Sequence, residues 1–336
     1  MDVFFTSPFL GQPVWMWLGF LGIVVALLAF DLGVLHRGSR EIGARESLLL
    51  SGGYITVGVA FTGFVWAQLG SQPAAEYLTG FFIEKSLALD NIFVIALIFS
   101  SLAIPRQYQY RVLFWGILGV IVLRAIMIGF GAAIVSEYAW VLYIFAAFLI
   151  FTGVKMLVAK EHHTDIAESR FYRLIRRVLP VTDRLHGSRF IVHEPDASGR
   201  LRRFATPLLV ALLMVEMADI VFAVDSIPAI FAITTDPFIV YTSNIFAILG
   251  LRALYFALAA VLHRFAYLKH ALAVLLIFIG SKVFVADLLG WEKFPAAWSL
   301  AITAAILTAG IAYSLWRTRS AGRTPPPAPA QGSVRP

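Results

Sequence analysis

Nine stretches of this 336-residue chain are each about twenty residues or more and almost wholly apolar, at roughly 14–34, 47–68, 78–102, 111–131, 138–158, 204–233, 241–262, 268–288 and 296–316. A bilayer's hydrocarbon is ~30 Å thick, and about 20 helical residues cross it. Inside it every backbone N–H and C=O must find a partner within the protein, which leaves helices as the form such stretches can take. An all-α, polytopic membrane protein with about nine transmembrane helices is therefore predicted. A mean hydropathy of +0.81, with 60% apolar and 14% charged residues, excludes an ordinary soluble domain.

Basic residues close to spans are retained on the cytoplasmic side. The connections after spans 1, 3, 5 and 7, together with the tail, hold 21 of the 27 Lys and Arg residues, whereas the alternate connections hold only Lys293. The N-terminus is expected outside and the C-terminus inside. Topology thus accounts for the formal charge of +7, and no nucleic-acid partner is expected. Trp15, Trp17, Trp140, Trp291, Trp298 and Trp316 fall near span ends, as an interfacial aromatic belt does. Cysteine is absent, so this chain has no thiolate ligand and no thiol redox centre. Neither a basic n-region nor a small-residue cleavage site precedes span 1, which is expected to be retained.

The chain repeats itself. Residues 84–95, EKSLALDNIFVI, answer residues 219–230, DIVFAVDSIPAI; LRA at 123–125 answers LRA at 251–253; LIFTGVKMLVA at 149–159 answers LIFIGSKVFVA at 276–286. The shared Asp, Arg and Lys positions set this apart from a chance likeness of apolar residues. Spans 3–5 thus correspond to spans 6–8, and by the charge count spans 3 and 6 enter the bilayer from opposite sides. The predicted organisation is two N-terminal spans (1–77), a first repeat (78–158), a basic cytoplasmic connection (159–203), a second repeat (204–288), a ninth span (289–316) and a disordered tail (317–336).

The repeats carry five acids in their spans, Glu84, Asp90, Glu216, Asp219 and Asp225, and five bases, Lys85, Arg124, Lys155, Arg252 and Lys282. Each costs roughly 2.5–3.5 kcal/mol at a helix centre, so ten unpaired charges exceed a net stability of ~5–15 kcal/mol. They must be paired, hydrated or metal-bound. The bases read as charge partners, with the three lysines reaching towards the interfaces. The acids read as a metal site, because their carboxylates recur in both repeats and hard oxygen ligands suit Mn2+, Mg2+ and Ca2+. A purely structural ion-pair network is the alternative for both sets.

Six residues advance an ideal helix by ~600°, which places Glu84 and Asp90, or Asp219 and Asp225, roughly 120° apart. Either one carboxylate of each pair binds metal while the other gates or carries protons, or the helices unwind there. Pro228 favours a break in span 6. Asn91, Ser226 and Asn244 offer neutral oxygens, to a metal or to neighbouring helices. Met217 and Met214 flank Glu216, where a thioether either favours Mn2+ or fills the core. In the 159–203 connection, Glu161, His162, His163 and Asp165 form a metal-sensing cluster or a solvated loop. An amphipathic stretch around Phe171–Leu179 suits the anionic inner leaflet, and the PPPAPAQG tail reads as disordered.

Through FFIEKSLALDNIFVIALIF at 81–99 and VEMADIVFAVDSIPAIFAIT at 215–234, the sequence resembles the TerC family of integral membrane proteins, over about residues 12–316. The resemblance implies a bacterial inner-membrane protein of the wider LysE-like transporter superfamily, named for tellurium resistance and with members linked to manganese efflux. It also implies that Glu84, Asp90, Glu216, Asp219 and Asp225 occupy the family's acidic positions.

Inverted repeats typically enclose a midplane substrate site served by alternating access. The expected function is divalent metal transport, Mn2+ export in exchange for protons, with no enzymatic activity and no tightly bound cofactor. The competing expectation is a membrane scaffold or assembly factor that supports metalation or insertion of other membrane or exported proteins.

Overall fold

The computed structural model describes residues 5–35, 44–158, 169–195, 200–258, 268–291 and 294–321, with backbone alone at 32–35, 44, 89, 90, 268 and 318–321. A short ribbon of β1 (Pro8–Phe9) and β2 (Gln12–Pro13) leads into α1 (Val14–Leu35) and α2 (Ala44–Leu69). Next come α3 (Ser71–Ser101), α4 (Arg106–Glu137) and α5 (Val141–Val158). A folded insert of α6 (Arg170–Val178) and the antiparallel strands β3 (Ile191–Pro195) and β4 (Leu201–Ala205) separates them from α7 (Pro207–Phe231). The chain continues through α8 (Pro237–Ile248), α9 (Leu251–Leu258), α10 (Leu268–Leu288) and α11 (Ala296–Ala321).

The fold is that of an all-α, multi-pass membrane protein. Among the described residues, eight stretches are long and apolar enough to cross a bilayer, one of them being α8 and α9 taken together. α3 is not among these eight; its 31 residues extend about 46 Å and carry Glu84, Lys85 and Asp90 in the middle. Outward-facing Val25, Phe130 and Phe151 are exposed, as side chains on a lipid-facing surface are.

α5 and α10 make the most extensive contact between any two helices. A Cβ on Gly153 would lie 2.6 Å from the carbonyl oxygen of Ala273 and 2.7 Å from Ile277, while one on Gly280 would lie 2.5 Å from the carbonyl oxygen of Ala146 and 2.8 Å from Ile150. Moving 127 residues along the chain converts the first set into the second. Early residues of one helix meet late residues of the other, so these corresponding helices cross antiparallel, and glycine lets their backbones touch. The same two-fold pattern recurs outside this crossing: α3 packs on α8 as α7 packs on α4, and α3 packs on α7.

Several boundaries differ from those predicted. α3 begins at Ser71, ahead of residue 78, because Pro73 is tolerated in a first turn. α8 begins at Pro237 instead of 241, where Asp236 accepts from the amides of Phe238 (2.8 Å) and Ile239 (3.4 Å) and the proline sits at the first helical position. Residues 259–262 of the predicted seventh span lie outside the described residues.

The predicted break at Pro228 does not occur. α7 runs through it to Phe231, since a proline in the final turn costs only the bond to the Val224 carbonyl. Span 7 is broken instead, between α8 and α9, where Gly250 takes a φ of +80°. A side chain there would be strained, and its Cβ would meet the Tyr54 ring at 2.7 Å.

Candidate functional site

Arg124 on α4 is fully buried and joins the two repeats. Its Nη2 donates to Asp219 Oδ1 at 2.9 Å and its Nε to Asp219 Oδ2 at 3.2 Å, a fork that grips the carboxylate of α7. Its Nη1 donates to Glu84 Oε1 on α3 and to Asn244 Oδ1 on α8 at 2.7 Å. A longer bond reaches Ser226 Oγ at 3.3 Å. Asn244 Nδ2 in turn donates to Glu84 Oε2 at 3.2 Å. Glu84 and Asp219 are corresponding residues of the two repeats, so a single guanidinium holds the equivalent acids of both halves.

Beside this knot lies a cavity of about 50 Å3, lined by Glu84, Arg124, Asn91, Asp225 and Ser226 on its polar side and by Leu87, Met156, Phe222 and Leu276 on its apolar side. That is room for on the order of three waters or one ion with part of its hydration shell. Asp225 Oδ1 accepts from the Thr152 hydroxyl at 3.4 Å, and Lys155 is the cation whose field reaches it. Asn91 is buried, and its Oδ1 has no hydrogen-bond partner. An amide oxygen of this kind is costly unless something donates to it or binds it.

Of the neutral donors read from the sequence, Asn91 and Ser226 line the cavity, whereas Asn244 serves the Arg124 knot. Met217 does not line it; the thioether that does is Met156, on α5. The side chain of Asp90 lies outside the described residues, as do Glu161, His162, His163, Asp165 and the tail beyond residue 321.

Glu216 stands apart from the other acids. Its carboxylate lies along the glycine face of α4, where a Cβ on Gly119 would come within 2.1 Å of Oε1, and its buried Oε2 has no hydrogen-bond partner. It shares a helix face with Asp219, but it does not share Arg124.

Among the bases, only Arg124 joins the carboxylates of both repeats. Arg252, its counterpart, pairs instead with Asp31 of α1, to which Tyr54 is also hydrogen-bonded. Asp31 was not among the acids singled out by the repeat, although it stands as a charge within span 1. Lys85 donates to the carbonyls of Ala247 (2.8 Å) and Leu249 (3.4 Å), which the break between α8 and α9 leaves without helical partners. Buried Lys282 donates to Ser299 Oγ at 3.0 Å, with Glu76 the acid whose field reaches it. Lys155 is exposed near Asp225. The lysines are therefore spread among three different jobs.

Chemically, this is a cation site already holding a cation. Among the described residues no three His, Asp or Glu side chains converge on one point as a ready metal cage. Oxygen donors of three kinds, carboxylate, amide and hydroxyl, nonetheless meet at the cavity.

A model of the Integral membrane protein TerC family matches residues 69–322. An uncharacterized membrane protein of Myxococcus xanthus is 46% identical over 324 residues, covering 96% of this chain and 99% of its own. A second, from Rickettsia bellii, is 46% identical over 301 residues, covering 90% of this chain and 97% of its own. A protein of Escherichia coli K12, whose name, Alx, marks it provisionally as a membrane-bound redox modulator, is 44% identical over 315 residues, 91% of this chain and 95% of its own. No solved structure matches. With both halves of the repeat inside the matched residues, the chain belongs to the TerC family of integral membrane proteins.

Proposed function

We propose that the chain carries a divalent cation across the bacterial inner membrane, with Mn2+ the favoured substrate, exporting it in exchange for protons. The observation that carries this reading is the convergence of Glu84 and Asp219, corresponding acids of the two repeats, on Arg124 beside a cavity lined by Asp225, Asn91 and Ser226. Glu84, Asp219, Asp225 and Arg124 together carry a formal charge of −2, with Lys155 near Asp225 but outside the cavity lining. One divalent cation cancels that charge, and so do two protons.

Carboxylate, amide and hydroxyl oxygens suit a hard divalent ion, and the Met156 thioether adds a ligand that Mn2+ accepts more readily than Mg2+ or Ca2+. In this mechanism Arg124 acts as an internal competitor. The ion enters against Asp225 and Asn91, Arg124 yields Glu84 and Asp219 to it, and protonation from the far side together with the return of Arg124 expels it. Alternating access through the two repeats exposes the site to each side in turn.

Flux in proteoliposomes tests this directly. The wild-type protein moves Mn2+ against an imposed proton gradient, and Asp225→Asn, folded and inserted, does not. A wild type that moves no divalent ion, or an Asp225→Asn variant with undiminished flux, overturns the proposal.

A scaffold or assembly role is the second reading, favoured by the folded insert between the repeats. Deleting that insert does not discriminate between the two, because Ile175 is buried in the same core as Ile98, Val112 and Leu208. Surface substitutions on the insert do: a scaffold loses its co-purifying partner, whereas a transporter keeps its flux. Redox modulation, the role in the Alx name, does not run through thiols of this chain, which has no cysteine.

A further inference from the structure

The insert between α5 and α7 folds as a small cap on the ends of the helices. Ile175 of α6 is buried, and Phe171, Tyr172, Leu179 and Phe190 pack on the core that Ile98, Val112 and Leu208 build. Arg111 at the start of α4 fastens it, donating to Ser188 Oγ at 2.8 Å and stacking its guanidinium 5.4 Å above the Phe190 ring. Ala205 at the end of β4 is two residues from the start of α7, so the cap lies where a span leaves the bilayer.

Its outer surface has an unusual composition. The described residues of the insert carry nine arginines, no lysine and two acids, Asp183 and Glu194. Both acids are engaged within the insert, Asp183 with Arg176 at 2.8 Å and Glu194 with His186 at 2.7 Å. On α6 the helical repeat places Arg170, Arg173, Leu174, Arg177 and Val178 on one exposed face, opposite buried Ile175. Leu174 is 53% exposed and Val178 69%. The hairpin repeats the mixture: Ile191, His193, Leu201 and Arg203 share one strand face, with Leu201 76% exposed.

Apolar side chains standing in the open among arginines fit neither a solvated face nor a buried one. They fit a headgroup layer, where the apolar groups enter the acyl boundary and guanidinium forks grip phosphate oxygens in pairs. We propose that the outer face of α6 and the β3–β4 hairpin is a binding surface for the anionic phospholipid headgroups of the adjoining leaflet. The complementarity is electrostatic, phosphate against arginine, and it holds the cap to the membrane from which α7 descends. By the positive-inside count this is the cytoplasmic leaflet.

Amide hydrogen exchange of the full chain in nanodiscs tests the surface. Discs of phosphatidylcholine alone are compared with discs containing phosphatidylglycerol, at low and high salt. Anionic discs slow exchange across 170–178 and 191–203, salt reverses the slowing, and R170E/R173E/R177E abolishes it. Each arginine near an anionic surface contributes roughly fivefold, so three contribute on the order of a hundredfold. The triple variant in phosphatidylcholine should exchange as the wild type does, which shows that α6 still folds. Equal exchange in both discs overturns the proposal. So does protection that inorganic phosphate reproduces in phosphatidylcholine discs, or protection that rises only with the number of chains per disc.

Discussion

Replacing Arg124 with glutamine removes the one cation that neutralises two buried carboxylates. Glu84 is 0% exposed and Asp219 7%, and the guanidinium supplies five hydrogen bonds shared among Glu84, Asp219, Asn244 and Ser226. Taking one partner from a buried ion pair costs about 3–5 kcal/mol, because the charge left behind keeps its desolvation penalty. Against a net stability of ~5–15 kcal/mol that is roughly a fifth or more. At roughly 2 °C per kcal/mol for a chain of this size, R124Q melts about 6–10 °C below the wild type in detergent.

Adding Glu84→Gln to R124Q should recover part of the loss, since it removes one stranded charge, and the two substitutions should couple by ~0.5–3 kcal/mol. If Arg124 competes with the transported ion, R124Q should bind Mn2+ more tightly and gain more stability from it than the wild type does, ~2.7 kcal/mol at a hundredfold excess over its dissociation constant. Circular dichroism melts with and without Mn2+ read both effects. A variant melting within about 2 °C of the wild type, or one further destabilised by Glu84→Gln, refutes the electrostatic account. R124Q indifferent to Mn2+ refutes the competition alone.

Asp31→Asn strands the Arg252 guanidinium, whose Nε and Nη1 already lack hydrogen-bond partners, and should cost about 3–5 kcal/mol; Arg252→Met in the same chain should return most of it, and additive losses in the melt would break the pairing. Gly250→Ala forces a Cβ into a left-handed turn and onto the Tyr54 ring, costing ~1–3 kcal/mol from strain alone; a neutral substitution there would show that the turn between α8 and α9 is free to relax.

The spans were legible because a bilayer dictates helix length and leaves the backbone no other way to satisfy its hydrogen bonds. The repeat was legible because charged residues in apolar surroundings stand out. Partnerships were not. Symmetry assigns Arg124 and Arg252 equal jobs, but α1 belongs to neither repeat and offers Asp31 to only one of them. Pro228 suggests a helix break, yet a proline near a helix end forfeits one bond, whereas Gly250 takes a φ of +80° that residues with a side chain rarely adopt. The β3–β4 hairpin is hard to read because IVHEP and LRRFA alternate over only five residues each, within an Arg-rich connection whose amphipathic signal lies around Phe171–Leu179 instead. Lys85 reads from sequence as a charge awaiting an acid, and only the break in its neighbour reveals that it caps carbonyls.

The crossing of α5 and α10 has a mechanical property that neither helix has alone. Because each of its contacts exchanges with another when the halves are interchanged, Gly153 on Ala273 with Gly280 on Ala146, it is its own counterpart. Were the two repeats to exchange shapes, as the proposed alternating access requires, Gly153 and Gly280 would trade equivalent neighbours across this crossing.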